Sequence, residues 1–145
     1  MSILTIGNNP FAKTRGDHAG ETAEDYVESI LRLAGRGNDH SCDCAPKART
    51  ADIARHFEVA QPTVTKILQR LETEGLVCIH RRQFVHLTAA GDELASSSLK
   101  RHQTIVQFLV TLGVSESQAQ LDTEGMEHHI SDETLRAFER HILGS

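Results

Sequence analysis

Long hydrophobic runs are missing from this chain of 145 residues: nothing approaches the roughly 18 to 20 apolar residues of a membrane span. The opening MSILTIGNNPFAKTRGDHAG has neither a charged leader region nor an extended apolar stretch, so a secretory signal is not expected either. The expected location is cytoplasmic, with no membrane partner. Cysteine is scarce, three in all and only Cys42 and Cys44 close together, which argues against a disulfide framework and fits a reducing compartment. There is no internal repeat and no low-complexity tract. Also missing are G-x-S-x-G, a phosphate-binding P-loop and H-E-x-x-H, which removes the usual signatures of serine hydrolases, nucleotide hydrolases and zinc proteases. What is left is an ordinary balance, 39% apolar and 24% charged, enough for one compact unit or two small coupled ones.

The net charge of −5 is unpromising for a nucleic-acid binder until it is divided along the chain. Residues 1–46 carry −3, residues 47–102 carry +3, and residues 103–145 carry −5. A basic middle between acidic flanks suits a polyanion-facing segment joined to cation-collecting ones.

Residues 1–20 mix Gly, Asn, Pro and Lys without periodicity and are expected to form a mobile tail. Val27, Ile30, Leu31 and Ala34 then fall at i, i+3, i+4 and i+7, predicting an amphipathic helix that starts at Glu21 and ends in GRGND. GRGNDHSCDCAPK reads as a loop. TADIARHF reads as a short helix capped by Thr50, and QPTVTKILQRLE as another, with Pro62 in its first turn and Gly75 as its stop. LVCIH and QFVHLT, on either side of a basic turn, predict a hairpin. Helix, helix, turn, helix and hairpin make a winged helix-turn-helix over 21–90. Three more helices are expected over 91–145, the last two each opened by a capping Ser.

In such a unit the second helix of the turn reads the major groove from its N-terminal residues. These are Gln61, Pro62, Thr63, Thr65 and Lys66, with Gln61 and Lys66 the expected base-readers. Arg70 lies further along toward the DNA backbone, and Arg81 and Arg82 at the wing turn are expected at phosphates or in an adjacent minor groove.

DTEGMEHHIS, residues 122–131, concentrates carboxylates and imidazoles. On a helix Glu124, Glu127 and His128 would share one face, while Asp122 and His129 would turn away. Asp25 and Glu28 form a second i, i+3 pair, and His102 precedes the apolar stretch IVQFLV. Two carboxylates on one face repel unless a cation joins them, and an oxygen-rich set with some imidazole suits Mn²⁺ better than a structural zinc site. His40, Cys42 and Cys44 read as an ordinary loop rather than a soft metal site, and Cys78 as a small buried filler.

AEDYVESILRL, VAQPTVTKILQRLETEGLV, LTAAGDELA, RHQTIVQFLVTLGV and DTEGMEHHIS together resemble the diphtheria-toxin-repressor-like metalloregulator family, in its manganese transport regulator branch. The resemblance runs from about Glu21 to the C-terminus, and its most specific part is the last motif. It implies a mainly α fold with a small β-hairpin wing: an N-terminal winged helix-turn-helix, a C-terminal helical dimerisation domain and no SH3-like third domain. It further implies a homodimeric repressor, not an enzyme, binding double-stranded operator DNA in response to one or two Mn²⁺ per subunit. The implied metal ligands are Asp25, Glu28, His102, Glu124, Glu127 and His128. Asp25 and Glu124 stand where iron-sensing relatives carry sulfur. Response to Fe²⁺ or Zn²⁺, or a non-metal effector, are the alternative readings. A di-metal enzyme of the ferritin-like kind would need two Glu-x-x-His motifs on matching helices, which this sequence does not supply.

Overall fold

The computed structural model describes residues 10–35, 40 and 44–144, with side chains from residue 22 onward. The first helix, α1 (Pro10–Ala34), starts well before the expected Glu21. Residues 10–20 therefore continue the helix rather than forming a tail, while residues 1–9 lie outside the described residues. That segment has no apolar face to betray it, but Pro10 is tolerated in a first turn, and Ala and Lys extend a helix that packs further on. The packed part is as expected: Ala23, Tyr26, Val27, Ile30 and Leu31 are buried. Gly35, at φ +80°, ends the helix with its N–H on the Leu31 carbonyl.

A short strand that the sequence reading missed, β1 (Ala48–Arg49), leads directly into α2 (Thr50–Phe57). Thr50 is thus the first helical residue and not the cap, which is Arg49 without a side-chain bond. The reason is local: the Thr50 N–H donates to the Gln83 carbonyl at 2.9 Å, so the wing satisfies a group that a cap would otherwise serve. Next come α3 (Gln61–Thr73), β2 (Val77–His80) and β3 (Phe84–Leu87), in a sheet of order β1-β3-β2 with both pairings antiparallel. Ile53, Val64, Leu68, Leu71, Val77 and Val85 close on α1 to form the core. Cys78, expected buried, is only partly so.

Thr88 caps α4 (Ala89–Thr111), accepting from the Gly91 N–H at 3.1 Å and donating to the Gly75 carbonyl at 2.6 Å. That one side chain ties the wing to the helix that follows. Ser115 and Ser131 cap α5 (Glu116–Met126) and α6 (Asp132–Gly144), as expected. α4 packs along α1, and α5 and α6 pack on α4, where Phe108 and Phe138 stack at 3.8 Å.

Candidate metal centre and nucleic-acid interface

α1 presents Asp25 and Glu28 one turn apart toward the last turn of α5. Glu28 is buried and held by the Ser98 hydroxyl of α4, which donates to its Oε1, and by Arg32 at 3.3 Å from its Oε2. α5 ends at Met126, so Glu127 is its C-cap and His128 lies in the turn just beyond. Both residues still face α1. One ligand atom each from Asp25, Glu127 and His128 lies within 4.8 Å of the others. His128 Nε2 is 3.2 Å from Asp25 Oδ1 and 3.4 Å from Glu127 Oε1.

The remaining expected residues stand around that nucleus. His102, buried on α4, meets Glu127 Oε2 through Nδ1 at 2.6 Å. Glu124, exposed on α5, shares with Asp25, Glu28, Ser29 and Arg32 the lining of a polar cleft of about 140 Å³. Asp122 turns away and accepts from the Gln118 side chain at 2.7 Å. Sequence reasoning missed Glu24, whose Oε2 takes the Nδ1–H of His128 at 2.8 Å, and Gln120, 2.7 Å from His102 Nε2. Glu24 also lies 3.6 Å from Arg101, which reaches Asp132 of α6 at 3.9 Å. The i, i+4 spacing of Glu24 and Glu28 was the available signal.

Electrostatics show what the cluster needs. Burial raises the Asp25 pKa; His128 pulls it back, and Glu28, Glu124 and Glu24 push it up again. Burial likewise raises Glu127, against the pull of His102 and His128. Burial would lower both histidines, but hydrogen bonds and negative neighbours outweigh it: Gln120 and Glu127 around His102, and Glu24, Asp25 and Glu127 around His128. Both therefore end above the ordinary value. His102 and Glu127 titrate as a pair whose 2.6 Å contact holds a proton. All four shifts favour added positive charge, and four carboxylates with two imidazoles suit a hard-to-borderline divalent cation.

In the N-terminal unit, Gln61, Pro62, Thr63, Thr65 and Lys66 line the exposed face of α3 while Val64, Leu68 and Leu71 anchor it. Arg70 is half-buried and turned toward Glu74 at 3.5 Å. Arg81 and Arg82 form the exposed wing tip, both at positive φ, 49° and 59°. Between α3 and the wing runs a groove of about 360 Å³ lined by Arg49, Thr50, Gln61, Arg82 and Phe84. Arg49, also missed from sequence, lies 5.8 Å from the Phe84 ring centre. With a reading helix and two sets of arginines around one groove, this surface has the layout of a duplex contact.

Residues 18–85 match the family described as iron dependent repressor, N-terminal DNA binding domain, and residues 88–143 its metal binding and dimerisation domain. A protein named transcriptional regulator MntR from Escherichia coli O6:H1 is 44% identical over 128 residues, covering 88% of this chain and 77% of that one. The HTH-type transcriptional regulator MntR of Lysinibacillus sphaericus is 35% identical over 109 residues, covering 74% and 72%. Among solved structures, a manganese-dependent transcriptional repressor in complex with manganese superposes with a TM-score of 0.67 at 26% identity. The match takes in 83% of this chain and spans about half, 52%, of that one. The two domain matches, on a fold that carries both an exposed α3 face and a carboxylate-imidazole cluster, show that this chain belongs to the iron-dependent repressor family.

Proposed function

We propose that the protein is a Mn²⁺-responsive DNA-binding repressor of manganese homeostasis genes, acting as a homodimer on double-stranded operator DNA. Residues 21–90 are read as the DNA-binding domain and 91–145 as the metal-binding and dimerisation domain. The observation that carries this reading is the composite origin of the cluster: Asp25 comes from α1, whose buried face shares the N-terminal core with α3, whereas Glu127 and His128 come from the end of α5. The relatives named as manganese-dependent and MntR regulators support it. Among the described residues no helix is long and apolar enough to cross a membrane, which accords with a cytoplasmic regulator. Nothing in the clefts described calls for a catalytic role, and a regulator rather than an enzyme is the reading adopted.

Asp25, Glu28, His102, Glu124, Glu127 and His128 would hold the metal, one or two ions per subunit. Bound there, Mn²⁺ supplies a compact positive charge that accepts oxygen and imidazole donors together. The rest is done by the chain. Asp25 and Glu28 fix the α1 side of the joint, and Ser98 and Arg32 keep Glu28 aimed while it is buried. His102, Glu124, Glu127 and His128 fix the α4–α5 side. With the two sides drawn together, α1 carries α3 and the wing into one position relative to the dimerisation helices, and so sets the spacing of the two reading heads. Gln61 and Lys66 then read bases, with Pro62, Thr63 and Thr65 beside them, while Arg70, Arg81 and Arg82 take the DNA backbone.

The test is operator binding at one fixed salt concentration, titrated with Mn²⁺, Fe²⁺ and Zn²⁺, for wild type and Glu124→Ala. Strong activation by Mn²⁺ that is weakened in Glu124→Ala is expected. Operator affinity indifferent to Mn²⁺, or a metal response untouched in Glu124→Ala, would overturn the reading. A larger response to Fe²⁺ or Zn²⁺ would change the ion.

A further inference from the structure

The chain's three cysteines fall in two short stretches, HSCDC at 40–44 and VCIH at 77–80, and neither belongs to the acidic cluster. Cys42 lies outside the described residues. In the β2–β3 ladder Cys78 stands opposite His86 and two residues from His80, so the three side chains leave the same face of the hairpin. Val77, Ile79, Val85 and Leu87 take the other face, toward the core. His86 is only 1% exposed, and its Nδ1 is 2.7 Å from His80 Nε2, with the two rings stacked 4.8 Å apart.

His40 and Lys47 both come close to this face. The His40 backbone bonds the His86 ring, the charge of Lys47 acts on it, and Ala48 pairs with Val85 immediately after. Cys44 lies in the chain between those two points, exposed, and neither it nor Cys78 is in a disulfide. Thiols and paired imidazoles are a softer donor set than the carboxylates of the first cluster, and suit Zn²⁺ rather than Mn²⁺.

We propose that this face of the wing is a second metal site, taking a cation of the Zn²⁺ kind through His80, His86 and the Cys78 thiolate, with Cys44 as the fourth donor. In a tetrahedral zinc site two nitrogen ligands stand about 3.3 Å apart. The present 2.7 Å hydrogen bond opens to that distance by a small turn of the rings. Cys78 stands directly opposite His86, where paired residues have Cβ atoms only about 4.5–5.5 Å apart, so its thiol would have to turn toward the ring nitrogens to complete the set. Burial, reinforced by His80 and Lys47, favours neutral His86, so its lone pair is available, and thiolate ligands offset the charge of Lys47. Filling the site would pin the segment that ends in Arg49 to the hairpin that carries Arg81 and Arg82.

The test uses Co²⁺ as the spectroscopic probe for Zn²⁺, added to the metal-free full chain. A near-ultraviolet thiolate-to-cobalt charge-transfer band is expected, displaced by Zn²⁺, retained in Glu127→Ala, lost in Cys78→Ser and weakened in Cys44→Ser. His80→Gln, which leaves the buried His86 in place, is expected to lower Zn²⁺ affinity at this site at least ten-fold. A wild type without the band, or a Cys78→Ser protein that keeps it in full, overturns the proposal. Should Cys78→Ser fail to fold by circular dichroism, His80→Gln decides alone, and unchanged Zn²⁺ affinity overturns it. Because the cobalt band is read independently of the operator, failure of the manganese reading leaves this result interpretable.

Discussion

An ionised carboxylate can only accept, so the 2.8 Å contact from Glu24 Oε2 puts the His128 proton on Nδ1 and turns Nε2 toward Asp25 and Glu127. Glu24→Ala is expected to lower Mn²⁺ affinity about 10- to 100-fold, the usual cost of losing a partner behind a metal-ligating histidine, and Glu24→Gln, which keeps an acceptor oxygen, to lower it less. Calorimetric titration checks this, and equal losses in both variants would mean that the charge rather than the orientation matters. The pH behaviour follows from shifts that all run one way. Asp25, Glu127, His102 and His128 are all raised, so the folded metal-free protein holds protons more tightly than the unfolded chain. Their stabilisation is complete below the unfolded values, about 4 for the carboxylates and about 6.5 for the imidazoles, and is lost as pH rises through the raised folded ones. The metal-free melting temperature should therefore fall between about pH 5 and pH 8, and Mn²⁺ uptake should release protons, seen as binding heats that vary with the buffer's ionisation enthalpy. Heats independent of buffer would contradict it. At this scale the sequence was informative about donors and silent about their supports. Spacing and residue type pointed to the six proposed ligands, of which Asp25, Glu127 and His128 converge, but Ser98 and Gln120 are neutral side chains whose roles exist only once α4 and α5 lie beside them.

α4 comes close to the wing at Gly91, in its first turn. A Cβ there would run into the backbone carbonyl of Leu76, and Leu87 Cδ2 would stand 3.3 Å away. That carbonyl already accepts the Thr88 N–H at 3.0 Å, so it has no room to retreat. Gly91→Ala is expected to destabilise by about 1–3 kcal/mol, as overpacking does, and a urea or thermal melt would show it; a melt like wild type would mean that α4 shifts freely on the wing. The consequence reaches function, because α4 carries His102 on the same rigid body. Element by element, the strongly periodic segments were legible: α3, the hairpin and the capped α4, α5 and α6 all lie where apolar spacing and cap residues put them. The failures share a cause. The first turns of α1 have no apolar face, β1 is two residues long, and the Thr50 N–H is satisfied by a wing carbonyl that lies over thirty positions away in sequence. Local patterns do not encode partners of that kind.

Across the whole molecule, negative charge gathers in the first 46 and last 43 residues, while the basic middle contains the face proposed to read DNA. Operator binding should then weaken steeply with salt, in proportion to the phosphates contacted. The wing tip adds something that charge counting does not show. Arg81 and Arg82 both sit at positive φ in the three-residue loop 81–83, within a turn closed by the Gln83 N–H on the His80 carbonyl, where Asn and Gly are the favoured residues. Each arginine held in that left-handed region costs on the order of 1 kcal/mol. Replacing the pair, Arg81→Asn with Arg82→Gly, should raise the unfolding free energy by about 1–2 kcal/mol while flattening the salt dependence of operator binding by about two phosphate contacts per subunit. A stabilised variant with an unaltered salt slope would show that the tip stays clear of DNA. A wing made too comfortable would thus belong to a sturdier regulator with a weaker hold on its operator, and selection for folding alone would be expected to erase these two arginines.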